Sequence, residues 1–287
     1  MPEQLISVEE LAAAAASGRR VHVLDVRWRL GRDDGRELYL AGHVPGAVFV
    51  DLPRELAAEA SASEGRHPLP AIDDLQASAR RWGLNDGDGV VVYDGNGGQS
   101  AARAWWLLRH AGMTDVRLLD GGIDAWRRAG LGAQTDDVDA RPGTVTLAYG
   151  HLPVLDADAA ARLPEDGGVL LDARAAERYR GEVEPVDSRA GHIPGALSAP
   201  SSGNLDESGD FRSADALREH FEHLGVSADA PVGVYCGSGV TAAHDVLALA
   251  VAGYDAALYP GSWSQWSNDP SRPVATGGAD ETPPKQS

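Results

Sequence analysis

The chain places its only cysteine, Cys236, in the stretch VGVYCGSGVTAAHDVLALAVAG, between a β-branched run and an apolar helical run. A strand that ends in a loop and feeds a helix puts that loop at the carboxyl edge of a sheet, where α/β proteins build their sites. In CGSGVT the backbone N–H groups of Gly237, Ser238, Gly239, Val240 and Thr241 would ring the sulfur. The helix expected from about Ala242 would point its positive end at it. Glycines at 237 and 239 let the backbone curl around one large anion. The loop therefore suits a sulfur nucleophile, or a persulfide carrying a second sulfur.

Two other cysteine chemistries fit less well. A cysteine phosphatase needs an arginine six positions after its nucleophile, and that position is Ala242; no lysine or arginine occurs from 237 to 253. A papain-like hydrolase needs a partner histidine close to the sulfur, whereas His244 falls on the helix after the loop and reads as packing or surface.

The elements that must hold this loop are written twice. VHVLDVR at 21–27 recurs as GVLLDAR at 168–174, and AGHVPGAV at 41–48 recurs as AGHIPGAL at 190–197. GVVVYDGNGG at 89–98 recurs as VGVYCGSGV, and LLDGGIDAW at 118–126 as LYPGSWSQW. Order is preserved and the offset stays between 140 and 149 residues, so two tandem copies of one domain are expected. Strands are expected near 21–25, 47–50, 90–93 and 116–119, then near 168–172, 196–199, 232–235 and 256–259. Alternation of continuous apolar strands with helices predicts an α/β fold, each copy a mainly parallel sheet with helices on both faces. Gly112 and Gly253 fall where the helix after each loop should stop. Asp94 takes the place of Cys236 in the first copy. An acid there has no sulfur nucleophilicity, so the first copy would be inactive.

CGSGVTA, the paired GHVPGA and GHIPGA motifs, RYRGEVEP and PGSWSQW together resemble the tandem-domain rhodanese-type sulfurtransferases, the family of thiosulfate and 3-mercaptopyruvate sulfurtransferases. The match runs from about Gln4 to Val274. The resemblance implies an inactive rhodanese-like domain over 4–131 and a catalytic rhodanese domain over 154–274; the turn residues and acids of 132–153, with no clear period, read as a linker between them, and composition reads a tail over 275–287 as disordered. The resemblance also implies that Cys236 takes a sulfane sulfur from a donor and yields it to a thiol, cyanide or protein, with no cofactor and no metal.

The donor is read from the loop. Members preferring thiosulfate have basic residues just after the cysteine, where this chain has Gly237 and Ser238. The loop is similar to that of mercaptopyruvate sulfurtransferases, in which a serine joins a histidine and an aspartate from the first domain. Ser238 matches the serine and His67, in GRHPLP, the histidine; the aspartate position after GAVFVDL holds Pro53. Arg178 matches the family's anion-binding arginine, with Arg180 nearby. A second arginine is expected where Val186 stands, and Arg189 is the nearest substitute. Gly237, Gly239, Val240 and Thr241 would complete the donor site with their amides. Two alternatives stay open: a thiosulfate:cyanide sulfurtransferase on the same site, and a sulfur carrier of low turnover. His43 and His192, occurring in both copies, and the recurring Asp25 and Asp172 are read as structural.

Bulk properties agree with a globular enzyme acting on small molecules. At 287 residues two domains of ordinary size are expected. The net charge of −18 argues against nucleic acid or anionic lipid as partners. No apolar run reaches the ~18–20 residues that span a bilayer, and the first residues lack the basic start of a signal peptide. One cysteine makes no internal disulfide and no resolving thiol, so a cytoplasmic location and an external acceptor, a small thiol or a thioredoxin-like protein, are expected.

Overall fold

In the computed structural model residues 4–17 and 21–278 are described. They divide into two compact units. The first comprises residues up to Ala58 with Leu69–Pro153 and Leu205–Ser213; the second comprises Glu59–Pro68, Val154–Asn204 and the chain from Ala214 onward. Each unit thus takes in a short segment whose sequence position lies within the other copy.

The first unit holds strands β1 (Leu5–Ile6), β2 (Val21–Asp25), β3 (Val48–Phe49), β4 (Gly89–Tyr93) and β5 (Val116–Leu119) in the order β1-β5-β4-β2-β3. The second holds β6 (Val169–Asp172), β7 (Leu197–Ser198), β8 (Val232–Tyr235) and β9 (Ala257–Leu258) in the order β7-β6-β8-β9. Every pairing is parallel. Eight of the nine strands fall where the apolar runs place them. The ninth, β1, is two residues long and too short to give a periodic signal. All four residues of β8 are buried, as a central parallel strand covered on both faces requires.

Each central strand feeds one twelve-residue helix, Gln99–His110 in the first unit and Thr241–Ala252 in the second. Gly253 ends the second helix in the left-handed region at φ 92°, and Gly112 follows the first at φ 99°. The second unit's core gathers Leu170, Tyr179, Ile193, Tyr235, Tyr259, Trp263 and Trp266.

The repeated motifs do structural work in both units. Arg27 and Arg174 each clasp a buried carboxylate, Asp25 and Asp172, through Nε and Nη2. Each also donates to a backbone carbonyl, of Gly42 and Gly191 respectively. His43 and His192 stack on Tyr39 and Tyr179 with ring centroids 3.9 and 3.8 Å apart. Their Nδ1 atoms lie 2.9 and 2.8 Å from the carbonyls of the same tyrosines. Burial holds His192 below the usual histidine range, against the pull of the Tyr179 carbonyl and Asp172. The folded state then binds this proton more weakly than the unfolded chain, so stability is lost as pH falls through about 6.5. A His192→Asn variant is expected to lose less Tm than the parent between about pH 7.5 and 5.5; parallel slopes in thermal melts would contradict this.

Two stretches differ from their compositional reading. Residues 132–153 form no regular element, yet they are strapped to the first unit. Gln134 bridges His43, Val145 donates its N–H to the Leu84 carbonyl, Ala148 to that of Ala111, and Val145 and Leu147 are buried. Turn residues and acids gave that stretch a linker's composition, but Val145, Leu147 and Tyr149 anchor it. The tail reading from 275 is corrected at its start: Ala275 exchanges two backbone hydrogen bonds with His192, and Gly277 donates to Arg180. Residues 279–287 lie outside the described residues.

Candidate active site

Cys236 follows directly on β8 and is 2% exposed. Its sulfur accepts the backbone N–H groups of Gly239 at 3.1 Å and Ser238 at 3.4 Å. Two of the expected amides thus point at the sulfur. Gly239 sits at φ 77°, and a Cβ there would lie 2.5 Å from the Pro260 carbonyl oxygen. Only glycine lets the chain turn here against the following segment.

That segment braces the loop from behind. In the helix Ser262–Trp266, the N–H groups of Trp263 and Ser264 donate to the carbonyls of Cys236 and Gly237, each at 2.9 Å. Ser262 is the one non-glycine with positive φ among the described residues, at 52°. Its counterpart in the first unit is Gly122, at φ 55°. A serine tolerates this conformation because its hydroxyl accepts the Cys236 N–H at 3.2 Å and donates to the Tyr259 carbonyl at 2.8 Å. The motif PGSWSQW marks this segment in the sequence, but nothing in it singles out Ser262.

The loop's opposite side is lined by residues 59–68, which belong to the second unit. Ser264 Oγ accepts the Arg66 N–H at 3.1 Å, and Gln265 Nε2 donates to the Ser63 carbonyl at 2.6 Å. This anchoring brings His67 Nδ1 to 2.8 Å from Ser238 Oγ. It also brings Arg66, which the sequence reading did not single out. A Cβ on residue 237 would meet Arg66 Nη2 at 2.8 Å and Arg178 Nη1 at 3.6 Å. Two guanidinium groups therefore lie over the residue next to Cys236.

Both are held by a pair of acids. Asp187, whose side chain is 3% exposed, bridges them: Arg66 Nη1 donates to Oδ1 and Arg178 Nη2 to Oδ2, the latter at 3.0 Å. Arg178 Nη2 also donates to Glu184 Oε1 at 2.7 Å. Burial pushes the Asp187 carboxyl up, with the Arg66 charge drawing it back. Burial also pushes Glu184 up, but the Asp187 amide, the Arg178 guanidinium and the Val186 amide outweigh it and hold that carboxyl below its usual range.

The structure brings together Cys236, Ser238, Gly237, Gly239, His67 and Arg178 of the residues expected from sequence. It places others elsewhere. Arg189 does not replace the arginine missing at Val186: its guanidinium donates to the carbonyls of Ser267, Trp266, Asp269 and Arg272, which consumes it as a clamp. Arg180 turns to Glu182 at the surface. Pro53 is exposed in the first turn of the short helix Leu52–Glu55, and Asp51 lies 3.6 Å from Arg54. His244 is fully buried beside Asn204 and serves packing.

In the first unit the same architecture holds a carboxylate. Asp94, fully buried, accepts the N–H groups of Asn96, Gly98, Ser100 and Ala101 at 2.8–2.9 Å. Its carbonyl takes the Ile123 N–H, as that of Cys236 takes the Trp263 N–H. The loop turns backbone N–H groups onto a side-chain acceptor in both copies, sulfur in one and oxygen in the other.

The Rhodanese-like domain family matches at residues 7–129 and 156–269. The chain belongs to the rhodanese-like sulfurtransferases. It is 50% identical over 281 residues to SseB of Mycobacterium tuberculosis, named for thiosulfate sulfurtransferase activity, covering 96% of this chain and 98% of that one. A Pseudomonas aeruginosa relative named for 3-mercaptopyruvate sulfurtransferase activity is 45% identical, with the same coverage. The crystal structure of SseA from Escherichia coli, titled a 3-mercaptopyruvate sulfotransferase, aligns with a TM-score of 0.79 at 34% identity, covering 91% of this chain and 99% of that one. The rhodanese-like sulfurtransferase is thus an α/β protein with two rhodanese-like domains that transfers sulfur between small molecules. No helix among its described residues is long and apolar enough to cross a membrane.

Proposed function

We propose that Cys236 takes its sulfur from 3-mercaptopyruvate. The thiolate attacks the donor's sulfur, and the C–S bonding electrons leave on the pyruvyl carbon as an enolate. A proton delivered to that carbon gives pyruvate, and Cys236 is left as a persulfide. The observation that carries the reading is the 2.8 Å hydrogen bond between Ser238 and His67. A hydroxyl two residues from the nucleophile, backed by an imidazole, is suited to supplying the proton. The amides of Ser238 and Gly239 are suited to holding charge on the sulfur.

Discharge follows by attack of an external thiolate or cyanide on the outer sulfur, with Cys236 thiolate as leaving group. A dithiol acceptor of thioredoxin type would then close to a disulfide and release hydrogen sulfide. The single cysteine supports an external acceptor, and a reducing cytoplasm would keep that thiol free.

Thiosulfate is the second reading. The two guanidinium groups over Gly237 favour it, since they could hold departing sulfite. The relative at 50% identity is named for that activity. The test is a paired steady-state assay of sulfide release from mercaptopyruvate plus dithiol and of thiocyanate from thiosulfate plus cyanide. Mercaptopyruvate is expected to win, and Ser238→Ala to cut that reaction about 10²-fold, the usual worth of a positioned proton donor, while thiosulfate turnover changes little. Equal loss with both donors, or a wild-type preference for thiosulfate, would overturn the reading.

A further inference from the structure

Arg66 and Arg178 have an unfinished set of hydrogen bonds. Their outer nitrogens contact Asp187, and Arg178 also contacts Glu184, but the Nε atoms of both are buried and without a hydrogen-bond partner. Buried guanidinium nitrogens are seldom left unpaired, and these two belong to the side chains that lie over Gly237. The charges beside the loop come to two cations, Arg66 and Arg178, against two anions, Asp187 and Glu184. Arg174, the next cation, is already matched by the buried Asp172. The donor side of the loop is therefore close to neutral despite its two arginines, in a chain of net charge −18.

We propose that Arg66 is the second guanidinium that grips the donor's anionic end, and that Asp187, bridging Arg66 and Arg178, sets the donor charge, favouring singly over doubly charged donors. Arg66 would then fill the role that sequence comparison sought at Val186 and Arg189, from a different segment of the chain. Asp187 is a positioning residue: it fixes both forks and subtracts one unit of positive charge from what a donor meets. The inference rests on the reading that Cys236 attacks an anionic sulfur donor, but not on which donor that is.

Coulomb energy is linear in the donor's charge, so one fixed charge removed from the site acts on a dianion with twice the energy it exerts on a monoanion. The fold-change for the dianion is then the square of that for the monoanion. A merely structural role for Asp187 would move both alike. The test measures KM for mercaptopyruvate and thiosulfate, and the inhibition constants of pyruvate and sulfate, at one fixed ionic strength, in wild type, Asp187→Asn and Arg66→Gln. Asp187→Asn is expected to tighten the singly charged ligands about threefold and the doubly charged about tenfold. Arg66→Gln is expected to weaken them by about the same two factors. Equal factors for both charge classes in the two variants, or no change in either, would overturn the proposal. If Asp187→Asn fails to fold, Arg66→Gln decides alone. Wild-type indifference to mercaptopyruvate would sink the donor reading of the preceding section, and would leave the pyruvate-to-sulfate comparison measurable against thiosulfate.

Discussion

Replacing Cys236 with serine is expected to reduce sulfur transfer from any donor by at least about three orders of magnitude, the scale on which nucleophile removal acts in enzymes of covalent mechanism. The serine oxygen would sit in the same cradle, reached by the Ser238 and Gly239 amides, so the fold should be undisturbed and Tm nearly unchanged. A hydroxyl ionises far less readily than a thiol and cannot carry a sulfane sulfur. No other cysteine in the chain offers a detour. Steady-state assays with both donors check this. Activity within tenfold of wild type would mean that the sulfur never rests on residue 236.

Asp94→Ala is expected to cost the first unit about 3–5 kcal/mol, the scale seen when a buried charged hydrogen-bond partner is removed. Asp94 closes its own loop by accepting four backbone N–H groups, from Asn96, Gly98, Ser100 and Ala101. Burial pushes its carboxyl above the usual range, and those four donors pull it back. Alanine would strand the donors in a cavity with no acceptor. Against a typical domain stability of about 5–15 kcal/mol, that is a large fraction. Asn keeps one acceptor oxygen but turns an N–H₂ toward donors, so Asp94→Asn should lie between. Urea denaturation at neutral pH measures both. An Asp94→Ala midpoint equal to that of wild type would show that the carboxylate does not hold the loop.

These two substitutions address one loop architecture in two states, and the comparison shows what could be read from residues alone. The duplicated motifs placed eight strands, because a buried parallel strand is a continuous apolar run and the repeat supplied each run a second time. Asp94 opposite Cys236 was legible for the same reason. The cysteine loop and its glycines were legible because strand, loop and helix are contiguous. What depended on distant segments was not. Arg66 stands beside His67 in sequence, yet nothing local tells that residues 59–68 pack with the second unit. Arg189 had the right charge and a suitable spacing; only the fold shows its guanidinium spent on four carbonyls. Ser262 was hidden because a positive φ at a non-glycine leaves no mark in composition. GRHP, a basic residue next to His67, was the one local signal that could have drawn attention to Arg66.

Sulfur resting on Cys236 between donor and acceptor would add its mass to the protein. The most direct test is the intact mass of the protein after incubation with mercaptopyruvate or thiosulfate and no acceptor, followed by peptide mapping. The expected result is a species heavier by one sulfur atom, located on the peptide containing Cys236, absent from Cys236→Ser and lost on adding a dithiol or cyanide. An unshifted mass under conditions of full turnover, or a shift retained in Cys236→Ser, would contradict it.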